Sequence, residues 1–178
     1  MVPVAVVICG ASSSGKTSLA RTLQELLLPE IWLTFSVDDI IYSLPESVLH
    51  RCNHENNWEG VDGKALFEGA TGSLSALLQS GNKVIFDVVV GHSKDASRVQ
   101  TSLSGFHSFT VELRCDLAIL EHRASFRGDR TLEETRRSFE SAPAQLASDL
   151  ILDSGAHSPK ELTSSVVTAL SNIQEIQK

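Results

Sequence analysis

Cysteine is scarce in this 178-residue chain, and what there is does not pair: Cys9, Cys52 and Cys115 are odd in number and show no C-x-x-C spacing. A disulfide-stapled scaffold and a zinc ribbon are thereby excluded, and a reducing, cytoplasmic setting is expected. No apolar run reaches bilayer-spanning length, and the opening apolar stretch is too short and lacks the basic flank of a secretion signal. Basic residues are in deficit, 15 Lys and Arg against 22 Asp and Glu, for a formal charge of −7. That balance weighs against a general nucleic-acid binder or an anionic-membrane binder, so neither partner is expected. Aromatic residues are only 6% of the chain while hydrophobic residues are 42%, so the core must be mainly aliphatic. Repeats, low-complexity tracts and linkers are missing too, and one domain over residues 1–178 is expected.

What is present is a phosphate-binding loop. Gly10-Ala11-Ser12-Ser13-Ser14-Gly15-Lys16-Thr17 matches G-x-x-x-x-G-K-[ST]. Before it, Val4-Ala5-Val6-Val7-Ile8-Cys9 is a short β-branched run that reads as a buried parallel strand. After it, Ser18 to Leu28 places Leu19, Leu23, Leu26 and Leu27 at helical spacing. Strand, loop and helix in that order are the context in which small residues turn successive N–H groups onto phosphate oxygens at a helix N-terminus. The loop residues and Ser18 are therefore expected to bind a nucleoside triphosphate. Lys16 can reach the β- and γ-phosphates, and the Thr17 hydroxyl can ligate Mg²⁺.

Strands and helices then alternate. Trp32 to Val37 reads as a second strand, Ile40 to Leu44 as a helix interrupted by Pro45, and Glu46 to Gly63 as a polar, irregular insertion. A helix over Lys64 to Ser80 precedes the strongest strand signal, Lys83 to Val90. A helix over Ser93 to Ser104, a strand over His107 to Arg114 and a helix that Asp116 can cap come next. A helix near Glu133 to Ser141, a strand at Leu150-Ile151-Leu152 and a helix from Ser158-Pro159 complete the pattern. This alternation predicts an α/β fold, a three-layer P-loop NTPase with a five-stranded parallel sheet and helices on both faces.

Ligands of such sheets gather at the carboxyl ends of the strands. Asp38 follows the second strand and Asp87 ends the apolar part of the third, so both should face the loop. Asp87 suits a Walker B metal role beside Thr17, and Asp38 suits the base that takes a proton from an acceptor hydroxyl. Asp38 or Asp39 could also simply cap the following helix. Arg123, Arg127 and Arg130 recur at helical spacing, with Gly128 between two of them as a hinge. They read either as a lid over residues 123–141 that neutralises the transferring phosphate, or as a solvated face paired with Glu121, Asp129 and Glu133.

Taken together, these residues resemble the chloramphenicol phosphotransferase-like proteins, small P-loop kinases related to nucleotide and shikimate kinases. The resemblance is carried by the phosphate loop, Trp32-Leu33-Thr34-Phe35-Ser36-Val37-Asp38, the strand ending at Asp87, Arg114-Cys115-Asp116, and Arg123 with Arg127-Gly128-Asp129-Arg130. It implies ATP-dependent phosphorylation of a small-molecule hydroxyl, with Asp38 as the base that activates it. It also implies Arg123 near the adenine, and Arg127 and Arg130 near the transferred phosphate. The family's resistance enzyme acts on the primary hydroxyl of chloramphenicol.

Rival readings are a nucleoside, nucleotide or sugar-acid kinase on the same frame, and a nucleotide-binding regulatory protein without kinase activity. A GTP switch is excluded because Asn82-Lys83-Val84-Ile85 lacks the acid of N-K-x-D. Between Asp38 and Ser47 there is no arginine to meet a phosphorylated acceptor, and Arg51 is the only one in the insertion, so an uncharged acceptor is expected. Trp58 is placed to touch an aromatic acceptor. His50, Cys52 and His54 alternate, and on an extended segment they would share one side as zinc ligands do.

Overall fold

The computed structural model describes residues 3–127, 131–141 and 146–176, with side chains to residue 173. Arg130, the Gly128 hinge and Asp129 lie outside the described residues. Five strands form one sheet: β1 (Ala5–Gly10), β2 (Trp32–Ser36), β3 (Lys83–Val88), β4 (Ser108–Arg114) and β5 (Leu150–Asp153). Their order across the sheet is β2-β3-β1-β4-β5, and every neighbouring pair is parallel.

The period-two alternation of each strand divides the core into two layers. Val6 and Ile8 of β1, with Phe109, Val111 and Leu113 of β4, pack against Leu19, Ala20 and Leu23 of α1 (Lys16–Leu26) and Leu162, Val166 and Leu170 of α8 (Pro159–Ile176). Ala5, Val7 and Cys9 of β1, with Val84, Phe86 and Val88 of β3, meet Leu74 and Leu78 of α4 (Gly63–Gln79) and Ala96 and Val99 of α5 (Ser93–Ser102). Both faces of β1 are covered, which is why its sequence is an unbroken apolar run rather than an alternating one. The chain leaves β1 towards β2 and leaves the adjacent β3 towards β4, so the connections of this neighbouring pair run in opposite directions, and the crevice that binds ligands opens at their carboxyl ends.

The second helical region differs from the expected one. α2 (Val37–Ile41) starts directly after β2, because Ser36 and Asp39 form a reciprocal cap: Ser36 Oγ accepts from the Asp39 N–H at 3.2 Å, and the Asp39 carboxylate accepts from the Ser36 N–H at 2.7 Å. The segment from Glu46, expected to be irregular, instead contains α3 (Glu46–Glu55). Pro45 does not merely interrupt; with φ −54° it occupies the cap position, and its carbonyl accepts from the Val48 and Leu49 N–H groups. The helix is hard to see in the sequence because Cys52 is its only buried residue.

The zinc-like spacing does not survive this fold. On α3 the His50 and His54 rings lie tilted at 43° with centroids 4.6 Å apart, while Cys52 is turned into the protein. Among the described residues no group of three or more His, Cys, Asp or Glu side chains is gathered to hold a metal. Asp116 stands at the N-cap of α6 (Leu117–Ser125) but makes no side-chain cap bond. No helix among the described residues is long and apolar enough to cross a membrane.

Candidate active site

The loop between β1 and α1 adopts backbone angles that explain its composition. At Gly10, φ is +150°, and an added Cβ would run into the Leu113 carbonyl of β4, so no larger residue fits where the loop leaves the sheet. Gly15, at φ +94°, caps α1 in the left-handed region. The Lys16 ammonium is held in place by donating to the Ala11 carbonyl at 2.9 Å and lies 4.0 Å from Asp87 Oδ1. Thr17 Oγ1 donates to Asp87 Oδ2 at 2.6 Å, so the expected metal-binding pair is in contact. The buried Ser13 and Ser14 hydroxyls have no hydrogen-bond partner. Buried donors of this kind, beside a lysine at a helix N-terminus, fit a phosphate chain.

Asp87 owes its place to β3, whose register sets it opposite Ile8 of β1 and Ser36 of β2. The two neighbouring aspartates of α2 divide their work. Asp39 is committed to the cap, whereas Asp38 lines a cavity of about 300 Å³ with Lys16, Thr17, Asp87 and Arg127. The same cavity is walled by Val37, Ile41, Trp58 and Val89, and by Glu134 and Ser138 of α7 (Leu132–Ser141). Trp58 thus sits where a contact with an acceptor was expected. Arg51 fixes its loop by donating to the Glu59 carbonyl at 2.5 Å, and Cys52 Sγ donates to the Asn57 carbonyl at 3.4 Å.

A second cavity, about 510 Å³, opens on the other side of the loop. Ser13, Ser14, Gly15 and Ser18 form its floor, and Arg123, Phe126, Arg127, Ser154, His157 and Pro159 its walls. Arg123 donates to the Ser154 carbonyl at 2.7 Å, which fixes its guanidinium at this wall. Arg123 and Arg127 do not share one continuous helix. α6 stops at Ser125, Arg127 follows in a turn and reaches both cavities, and α7 begins afresh at Leu132. Glu121, which the alternative reading offered as a partner for these arginines, accepts from Arg136 of α7 at 2.5 Å.

Sequence reasoning overlooked Ser138, Glu134, Phe126, Ser154 and His157. Only Glu134 carried a local signal, because Thr131-x-x-Glu134 spells a capping box, with the Thr131 N–H donating to Glu134 Oε2 at 3.0 Å. The cysteines differ in burial, Cys9 and Cys52 being buried and Cys115 partly exposed. Burial pushes the Cys9 thiol up to about 11, and the nearby Glu112 carboxylate adds to the effect. At pH 8 Cys9 therefore stays protonated, and Cys52 is fully enclosed. Alkylation of the native protein should modify Cys115 first, and all three only after denaturation. Rapid labelling of Cys9 by mass mapping would contradict this.

With the geometry in place, comparison with known proteins adds the family. A family model described as chloramphenicol phosphotransferase-like protein matches residues 4–171. The chain belongs to that family. It is accordingly a P-loop small-molecule kinase that uses a nucleotide. Solved structures agree on the fold. A gluconokinase from Sinorhizobium meliloti 1021 superposes with a TM-score of 0.71 at 16% identity, covering 99% of this chain and 96% of that one. The APS kinase of Mycobacterium tuberculosis, solved with AMPPNP and APS, gives 0.68 at 19% identity, covering 96% and 98%. Shikimate kinase from Acinetobacter baumannii, in complex with shikimate, gives 0.66 at 16% identity, covering 97% and 95%. No curated protein sequence matches closely enough to count as a relative.

Proposed function

We propose that this family member moves the γ-phosphoryl group of ATP to a hydroxyl of an uncharged small molecule, with chloramphenicol as a candidate acceptor. The observation that carries the reading is the convergence of Lys16, the Thr17–Asp87 pair and Asp38 on one cavity that Trp58 also walls. The loop amides and Lys16 hold the β- and γ-phosphates. Arg123 faces the nucleoside from the larger cavity. Thr17 and Asp87 would hold Mg²⁺, which offsets phosphate charge when bound. Asp38 accepts the acceptor's hydroxyl proton, the freed oxygen bonds to the γ-phosphorus, and the bond to the bridging oxygen breaks to release ADP. Arg127, with Arg130, compensates the charge on the transferring group.

The acceptor class follows from the walls. Val37, Ile41, Val89 and Trp58 offer apolar surface, and Arg51 is turned onto Glu59 and Asn57. With Lys16 and Arg127 serving phosphate, Asp38 and Glu134 would repel an anionic acceptor. ADP release should therefore rise with chloramphenicol or another neutral alcohol and stay at background with sugar acids. A sugar acid as the best acceptor would overturn the acceptor class. Trp58→Ala should raise the acceptor KM about three- to tenfold, the range of an aromatic contact, and leave the KM for ATP unchanged. An unchanged acceptor KM would remove Trp58 from the binding surface.

A further inference from the structure

A polar contact ties α7 to the phosphate loop. The Ser12 backbone N–H donates to Ser138 Oγ at 2.9 Å, and the Ser138 hydroxyl in turn donates to the Thr135 carbonyl at 2.9 Å. Ser12 lines the cavity that contains Asp38 and Asp87 and does not line the nucleoside-side cavity; for Ser14 the reverse holds. The Ser12 amide therefore belongs to the transfer end of the loop, where the terminal phosphate of a bound triphosphate lies. Amides of such loops meet phosphate oxygens, yet this one is satisfied by a side chain from another helix. α7 is also anchored by Arg136 on Glu121 of α6. The Ser138 bond is its link to the phosphate cradle itself.

We propose that Ser138 is a positioning residue that reads the terminal phosphate: its hydroxyl holds the Ser12 amide until a γ-phosphate oxygen takes that amide over. This rests on the reading of the site as a nucleotide site. One N–H has one proton to share, and a phosphate oxyanion accepts it in a charge-assisted bond roughly twice as strong as a bond to a neutral hydroxyl. A diphosphate brings no oxygen to that end of the loop and leaves Ser12 with Ser138. Triphosphate binding thus uncouples α7 from the loop, and α7 re-docks when ADP remains. The helix that carries Glu134 into the acceptor cavity is in this way informed of which nucleotide is present.

The test compares Mg·ADP with a non-hydrolysable Mg·ATP analogue by calorimetry on the wild type, Ser138→Ala and Ser138→Thr. Removing the competing hydroxyl should strengthen the triphosphate relative to the diphosphate about three- to tenfold, the worth of one net hydrogen bond. Ser138→Thr, which keeps the hydroxyl, should keep the wild-type ratio. A merely structural Ser138 would shift both affinities alike, and an unchanged ratio in Ser138→Ala overturns the proposal. A ratio moved towards ADP also overturns it, because Ser138 would then hold the γ-phosphate directly. Binding of neither nucleotide to the wild type would overturn both readings. Nucleotide binding without any phosphorylated acceptor counts against the proposed function alone.

Discussion

Lys16→Ala is expected to lower phosphoryl transfer by at least about 10³-fold, the scale on which loss of one preorganised charge is felt in a transition state. Lys16 is well placed for that role, with its side chain 8% exposed and its ammonium fastened to the Ala11 carbonyl. Such a cation needs no reorganisation as charge develops on the phosphate, and in a shielded site its field is weakly screened. Its removal also leaves the Asp87 carboxylate without the cation 4.0 Å away, so triphosphate binding should weaken as well. Lys16→Arg is not a rescue, because a planar guanidinium does not fit the space of a compact ammonium. The measurement is kcat and KM for ATP under saturating acceptor, with thermal melting to confirm the fold. Turnover within tenfold of wild type would remove Lys16 from the reaction.

Asp38→Asn has a different signature. Turnover should fall about 10²- to 10⁴-fold, the usual worth of a general base, while ATP affinity stays near the wild-type value. The amide keeps the carboxylate's shape and loses the ability to accept the hydroxyl proton. Its neighbour supplies the contrast. Asp39 closes the cap on Ser36 through bonds of 2.7 and 2.8 Å, so Asp39→Ala should cost about 1 kcal/mol of stability and little turnover. If Asp39→Ala proved the inactive variant and Asp38→Asn the active one, the assignment of the base would be reversed.

These two aspartates also mark the limit of what the sequence discloses. The β1–loop–α1 unit is legible because each part is local: an apolar run, a fixed spacing and a leucine stripe. Asp87 is legible because a charge in so apolar a strand has to be used or paired. Asp38 and Asp39 were not separable by position. The cap that separates them comes from Ser36, which ends β2 and caps α2 at once, a double role that strand alternation does not disclose. α3 escaped notice because a helix with one buried residue leaves hardly any apolar stripe. Arg123 on Ser154 and Ser138 on Ser12 are farther out of reach, since the partners are 31 and 126 residues apart and only the sheet order brings them together. The arginine spacing was real, but α6 ends at Ser125, so Arg127 stands beyond the helix that carries Arg123.

The most direct test is to incubate the wild-type protein with Mg·ATP and chloramphenicol, alongside a panel of neutral alcohols, and to weigh the acceptor by mass spectrometry. An acceptor heavier by one phosphoryl group, esterified on a hydroxyl and missing when Lys16→Ala replaces the wild type, is the expected result. ATP that binds and yields only inorganic phosphate, with every acceptor unchanged, would contradict the transfer of phosphate to an alcohol.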